Sequence, residues 1–143
     1  MFEDKWLRIS IAGAALMGVA GAAQADTLLV ELKGVRSASG QVQLDLYDIT
    51  RKHVARKRIP ARSGEMRVAF GNLSSGAYGV YVYHDENGNK KLDTGGLLRL
   101  PVEGYAFSND ASAGFGPPAI KDLRVEVRPG APALTIATMR YRR

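Results

Sequence analysis

The sequence predicts an all-β fold: an antiparallel β-sandwich of immunoglobulin or prealbumin-like type, with about seven strands and one long loop. Three observations predict it. Short segments rich in Val, Leu, Tyr and Thr recur along the chain, some with apolar residues at every second position. Clusters of Gly, Pro, Ser and Asn separate them. No stretch after the first 25 residues carries the 3.6-residue period of an amphipathic helix.

Residues 27–32 (TLLVEL) read as the first strand and residues 41–47 (QVQLDLY) as the second, with Val42, Leu44 and Leu46 on one face and Gln43, Asp45 and Tyr47 on the other. Ser37-Ala38-Ser39-Gly40 between them is turn material, which predicts an antiparallel hairpin. A basic segment, 51–58, leads through Ile59-Pro60 and Ser63-Gly64 to a strand at 65–70 (EMRVAF). After the turn 71–76, residues 77–84 (AYGVYVYH) form the clearest strand, because Tyr and Val suit a pleated surface. Residues 85–116 are polar and Gly-rich without periodicity, and a loop of that length in a small domain is functional or held by something. Residues 120–127 and 134–141 close the chain as two further strands around the turn Arg128-Pro129-Gly130.

Composition narrows the class. With 143 residues, 45% hydrophobic and 24% charged, the chain belongs with ordinary globular proteins. The absence of Cys excludes disulfides, thiolate metal sites, Cys nucleophiles and lipid attachment at an N-terminal Cys. At the N-terminus Lys5 and Arg8 precede an apolar run, 9–22, and Ala23-Gln24-Ala25 supplies a small-x-small pattern. Residues 1–25 therefore read as a secretory signal peptide cleaved before Asp26, and the run is too short for a membrane span. One domain, 26–143, in the periplasm or outside the cell, is the expectation. Net charge is +6, unchanged by loss of the leader, so the expected partner is an anionic envelope lipid or polysaccharide and not nucleic acid.

The strongest chemical pattern is Asp85-Glu86-Asn87-Gly88-Asn89-Lys90-Lys91-Leu92-Asp93. It sets Asp85, Asn87, Asn89 and Asp93 at positions 1, 3, 5 and 9 of a Ca²⁺ loop, with a backbone carbonyl at position 7 from Lys91. Hard cations need several oxygens converging on one point, and alternate residues of a curled loop supply them. Position 6 is Lys90 where Gly is usual, and position 12 is Gly96 where a bidentate Glu is usual, so Glu86 or the distant Glu103 is needed for a stronger chelate. A metal-free reading stands beside it: Asn87-Gly88 after a strand is a favoured hairpin turn.

The order FGNLSSGAYGVYVYHDENGNKKLD, then PVEGYAFSNDA, then GFGPP, resembles the small exported bacterial proteins called DUF2141, a family of unknown function. The resemblance covers most of the chain after the leader. It rests on Gly76 and Tyr78; on His84, Asp85, Asn87, Asn89, Lys91, Leu92 and Asp93; on Pro101, Glu103, Gly104, Tyr105, Phe107, Ser108 and Asn109; and on Gly116, Pro117 and Pro118. It implies an exported β-sandwich and no particular activity. Gly95-Gly96-Leu97-Leu98-Arg99-Leu100 departs from the family's tendency toward an Asn and a Gly before the Pro.

Residues 103–110 mix rings with acids and amides, so Glu103, Tyr105 and Asn109 are ligand-binding candidates for a small molecule or carbohydrate; the plainer reading has these side chains satisfying a turn. Ser108, His84 and Asp85 can be written as a triad, and Glu103 with Asp85 or Asp93 as a carboxylate pair for a hydrolase, yet no Gly-x-Ser-x-Gly elbow is present. The expectation is a non-catalytic module acting in binding or envelope support. The run 51–58, and Arg140, Arg142 and Arg143, are the basic surfaces for an anionic partner.

Overall fold

The structure is a computed structural model that describes residues 26–142, so the expected signal peptide lies outside the described residues. Among the described residues ten strands follow in order: β1 Leu28–Val35, β2 Gln41–Asp48, β3 His53–Pro60, β4 Gly64–Phe70, β5 Gly76–Asp85, β6 Thr94–Gly95, β7 Leu100–Pro101, β8 Gly104–Phe107, β9 Val125–Val127 and β10 Ala133–Thr138. Two short 3₁₀ turns, Ser108–Asp110 and Ile120–Leu123, precede β9.

The strands form two principal sheets. One has the order β10-β1-β4, with β10 parallel and β4 antiparallel to β1. The other has the order β3-β2-β5-β8, all antiparallel, with β9 pairing the first half of β5 while β8 pairs the second half. A separate hairpin joins β6 to β7. Alternation makes this possible: Leu28, Val30 and Leu32 of β1, Val42, Leu44 and Leu46 of β2, and Val80 and Val82 of β5 all enter one buried cluster with Val68 and Phe70. Both sheets thus bury one face against a shared core.

The expected β1–β2 hairpin is not formed. β1 already has β10 and β4 at its two edges and β2 has β3 and β5, so residues 36–40 cross between the sheets. The crossing is pinned to the end of β5. Arg36 and Ser37 hold the Glu86 carboxylate, and Gly40, at φ +67, lies where a Cβ would stand 2.0 Å from the Asp85 carbonyl oxygen.

The basic segment is the edge strand β3, and Arg and Lys along an exposed edge discourage pairing with another chain. The long loop expected over 85–116 is partly structured. It holds the β6–β7 hairpin and β8, which pairs Tyr105 with Tyr83 and Phe107 with Tyr81. The strand expected over 120–127 begins as a 3₁₀ turn and is extended only at Val125–Val127.

Candidate functional site

Asp85 is the last residue of β5 and is buried, its carboxylate turned into the loop that follows. Its two oxygens accept the backbone N–H groups of Asn89 at 3.1 Å and Lys90 at 2.8 Å. These bonds demand a sharp bend at Lys90, which takes φ 65 and so supplies the left-handed conformation usually left to Gly at that place. Asn87 Oδ1 accepts from the backbone of Asn89, and Asn89 Oδ1 from that of Lys91, each at 3.1 Å. The two amide groups converge on Asp93: Asn87 Nδ2 donates to one carboxylate oxygen and Asn89 Nδ2 to the other, both at 2.6 Å. The Asn89 bond, then the Asn87 bond, holds the Asp93 carboxyl below the usual carboxylate range. Asp85, Asn87, Asn89 and Asp93 are therefore brought together, and Lys91 lends the loop its backbone while its side chain is exposed.

Glu103 completes the floor. It is 6% exposed, and its Oε2 accepts the backbone N–H of Asp93 at 3.2 Å. Its Oε1 is buried with no hydrogen-bond partner. Burial, joined by the negative charges of Asp93 and Asp85, pushes this carboxyl above its ordinary value. A buried carboxylate oxygen lacking a donor costs about 1–3 kcal/mol, so a positive charge at this point would be strongly favoured. Among the described residues no three His, Asp or Glu side chains converge as a metal cluster by themselves. Three carboxylates, Asp85, Asp93 and Glu103, and two amides, Asn87 and Asn89, are strung along the loop by hydrogen bonds.

The other candidates separate. Glu103, Tyr105 and Asn109 do not share a cleft: Tyr105 faces outward from β8, whereas Asn109 donates to the Arg124 carbonyl at 2.6 Å and receives Thr135 Oγ1 at 3.3 Å. Asn109 and Asp110, both at positive φ, dock this turn on β10, with Asp110 accepting from Thr138. Nor do Ser108, His84 and Asp85 hydrogen-bond to one another. Ser108 Oγ donates to the Leu123 carbonyl and accepts the Val80 N–H. His84 and Asp85 point to opposite sheet faces, as neighbours on a strand must. His84 Nε2 donates to the Ser39 carbonyl at 2.7 Å, which leaves Nδ1 to accept the Tyr141 hydroxyl at 2.9 Å.

The basic strand is partly engaged within the fold. Arg56 pairs with Asp45 at 2.6 Å, His53 Nε2 stands 3.0 Å from the same carboxylate, and Arg58 donates to Gln43. Burial would raise the Asp45 carboxyl, but the bonds from Arg56, Gln43 and His53 outweigh it and hold the group below its usual range. At the other basic surface, Arg140 donates to the carbonyls of Ala111 and Asp110.

Sequence reasoning missed an aromatic face. Tyr47, Tyr81, Tyr83, Tyr105 and Phe107 lie together on the outer side of the β2-β5-β8 sheet, with Tyr81 edge-on to Tyr47 at 5.1 Å and to Phe107 at 5.5 Å. The signal was present in AYGVYVYH, where Val alternates with Tyr: if the Val face is the core, the Tyr face is a surface.

Residues 30–135 match a family described as an uncharacterized protein conserved in bacteria (DUF2141). No curated protein and no solved structure matches the chain.

Proposed function

We propose, from the premise that the chain belongs to the DUF2141 family, that it is an exported, non-catalytic β-sandwich module of immunoglobulin or prealbumin-like type whose 85–93 loop binds Ca²⁺. The observation that carries this reading is the partnerless, buried Oε1 of Glu103 beside Asp93 in a loop already bent at Lys90. Half a turn about the Cβ–Cγ bond of Asn87 or Asn89 replaces an NH₂ group facing Asp93 by an oxygen, and gives up the bond its Oδ1 accepts from the Asn89 or Lys91 N–H. The loop then offers the ion oxygens from Asn87 or Asn89, Asp93 and Glu103, and the ion draws in Asp85 and the backbone carbonyl of Lys91 to complete its shell. Ca²⁺ suits such a set because it accepts six to eight oxygens in irregular geometry, whereas Mg²⁺ demands a near-octahedral shell.

Location supports the choice. A protein carrying the leader read in residues 1–25 works where Ca²⁺ is plentiful, and sites of modest charge in extracellular modules bind in the range of about 0.1–1 mM. The role that follows is a scaffold in envelope support or binding, its loop fixed only after export. Isothermal titration of Ca²⁺ into the protein purified with its leader processed tests this. One ion per chain, lost in Asp93→Ala and not matched by Mg²⁺, is the expected result; no uptake in the millimolar range would leave the loop as a self-sufficient turn.

A further inference from the structure

The aromatic face is the floor of a cleft of about 400 Å³, which falls in the range of small-molecule sites. Tyr47, Tyr81, Tyr83, Tyr105 and Phe107 form the floor, and the roof comes from two segments, the β6–β7 hairpin with Leu98 and Leu100 and the 113–117 segment with Phe115. Leu92, a residue of the 85–93 loop next to Asp93, lines it as well.

Its chemistry is selective. Among the described residues Arg99 is the one charged lining side chain and, beyond the phenols, Thr94 the one polar neutral one; Asp45 and His53 stand beside Tyr81 and Tyr47 at the edge of the floor without lining the cleft. None of the four floor tyrosines makes a side-chain hydrogen bond among the described residues, unlike Tyr78 and Tyr141. A sugar ring needs several carboxylate or amide partners for its hydroxyls, since buried polar groups must be paired, and this lining supplies almost none. An apolar chain needs none.

The mouth agrees with the interior. Leu98 is 71% exposed and Phe115 fully exposed, and Leu97 beside them is fully exposed too. Leu98 and Phe115, two large apolar lining side chains that stand in water, mark a place where apolar matter enters. Arg99 is also exposed at this rim, in the left-handed region at φ 47, and forms no ion pair among the described residues. Its charge is therefore available to an anion outside the cleft.

We infer that the cleft binds a single-chain anionic amphiphile of the fatty-carboxylate class, its hydrocarbon between the tyrosine floor and the Leu98–Phe115 roof and its carboxylate against Arg99. The phenol hydroxyls stay at the water side of the chain, where they need no protein partner.

The test is calorimetric titration of the processed protein, in chelator, with monomeric dodecanoate and with dodecyltrimethylammonium, which shares the chain and reverses the charge. Dodecanoate should bind one per chain, at least about tenfold tighter than the cation. Leu98→Ser/Phe115→Ser should weaken both about tenfold or more, from lost apolar contact at exposed sites that folding does not need. Arg99→Asn, which tolerates a positive φ, should abolish the preference between the two heads while leaving chain binding. Absence of dodecanoate binding up to 1 mM, or equal binding by the Leu98→Ser/Phe115→Ser protein, would overturn the site. A preference that survives Arg99→Asn would overturn the assignment of the carboxylate to Arg99. Binding of a neutral oligosaccharide without dodecanoate would replace the amphiphile by a carbohydrate.

Discussion

Glu103→Gln should stabilise the metal-free protein and cost it its response to Ca²⁺. Glu103 is buried, one of its oxygens lacks any donor, and the charges of Asp93 and Asp85 oppose its ionisation. Gln keeps an oxygen for the Asp93 N–H, removes the charge, and offers an NH₂ toward the neighbouring carboxylates. Relief of an unsatisfied buried oxygen is worth about 1–3 kcal/mol, so in chelator the variant should gain roughly 1–2 kcal/mol in urea unfolding. In Ca²⁺ at ten times its dissociation constant the native protein gains about 1.4 kcal/mol by linkage, and the variant, short of one anionic ligand, should gain far less.

The pH dependence has a definite sign. An acid whose folded pKa is raised costs the fold nothing below its unfolded value near 4.3, and the cost grows as pH rises from there and is complete above the folded value. In chelator the two proteins should therefore converge in stability below about pH 4 and diverge above it. Equal destabilisation of Glu103→Gln in chelator and in Ca²⁺ would refute the reasoning and make Glu103 a structural acceptor for Asp93.

Gly104→Ala should lose roughly 1–3 kcal/mol by overpacking, read by urea denaturation, because an added Cβ would stand 2.1 Å from the Tyr141 ring. Leu44→Ala, at a fully buried core position, should cost about 2–5 kcal/mol in the same assay. Asp45→Asn should flatten the acid limb of the stability curve: with its folded pKa lowered, Asp45 contributes stability above the unfolded value of about 3.9 that is lost as pH falls through the folded one. His84→Phe should cost about 1–3 kcal/mol, since it leaves the Ser39 carbonyl and the Tyr141 hydroxyl without their shared partner.

Much of the fold is legible because alternation names the buried face of a strand. Val42, Leu44 and Leu46 in β2 and Val80 and Val82 in β5 point inward as their spacing predicts. Alternation does not name the neighbour, and so β1 and β2, two apparent hairpin partners, sit in different sheets. β8 was hidden for a related reason. Gly104 and Ala106 are small, and the strand is defined by its pairing with β5 rather than by its own composition.

At the site, Asp85, Asn87, Asn89 and Asp93, read from their spacing, are joined by hydrogen bonds because the turn closes locally. The apparent defect at position 6 disappears once Lys90 takes the left-handed bend. The part played by Glu103 depends on the bend between β7 and β8, ten residues further on, lying beside the loop, and the aromatic cleft on three strands lining up their outward residues. Contacts of that range are set by topology, which local pattern does not encode.

The central claim is tested most directly by the thermal midpoint of the processed protein in chelator and in millimolar Ca²⁺, with Asp85→Ala/Asp93→Ala alongside. A rise of about 5 °C for the native sequence alone is the predicted result. An unchanged midpoint, or the same rise in the double variant, would contradict it.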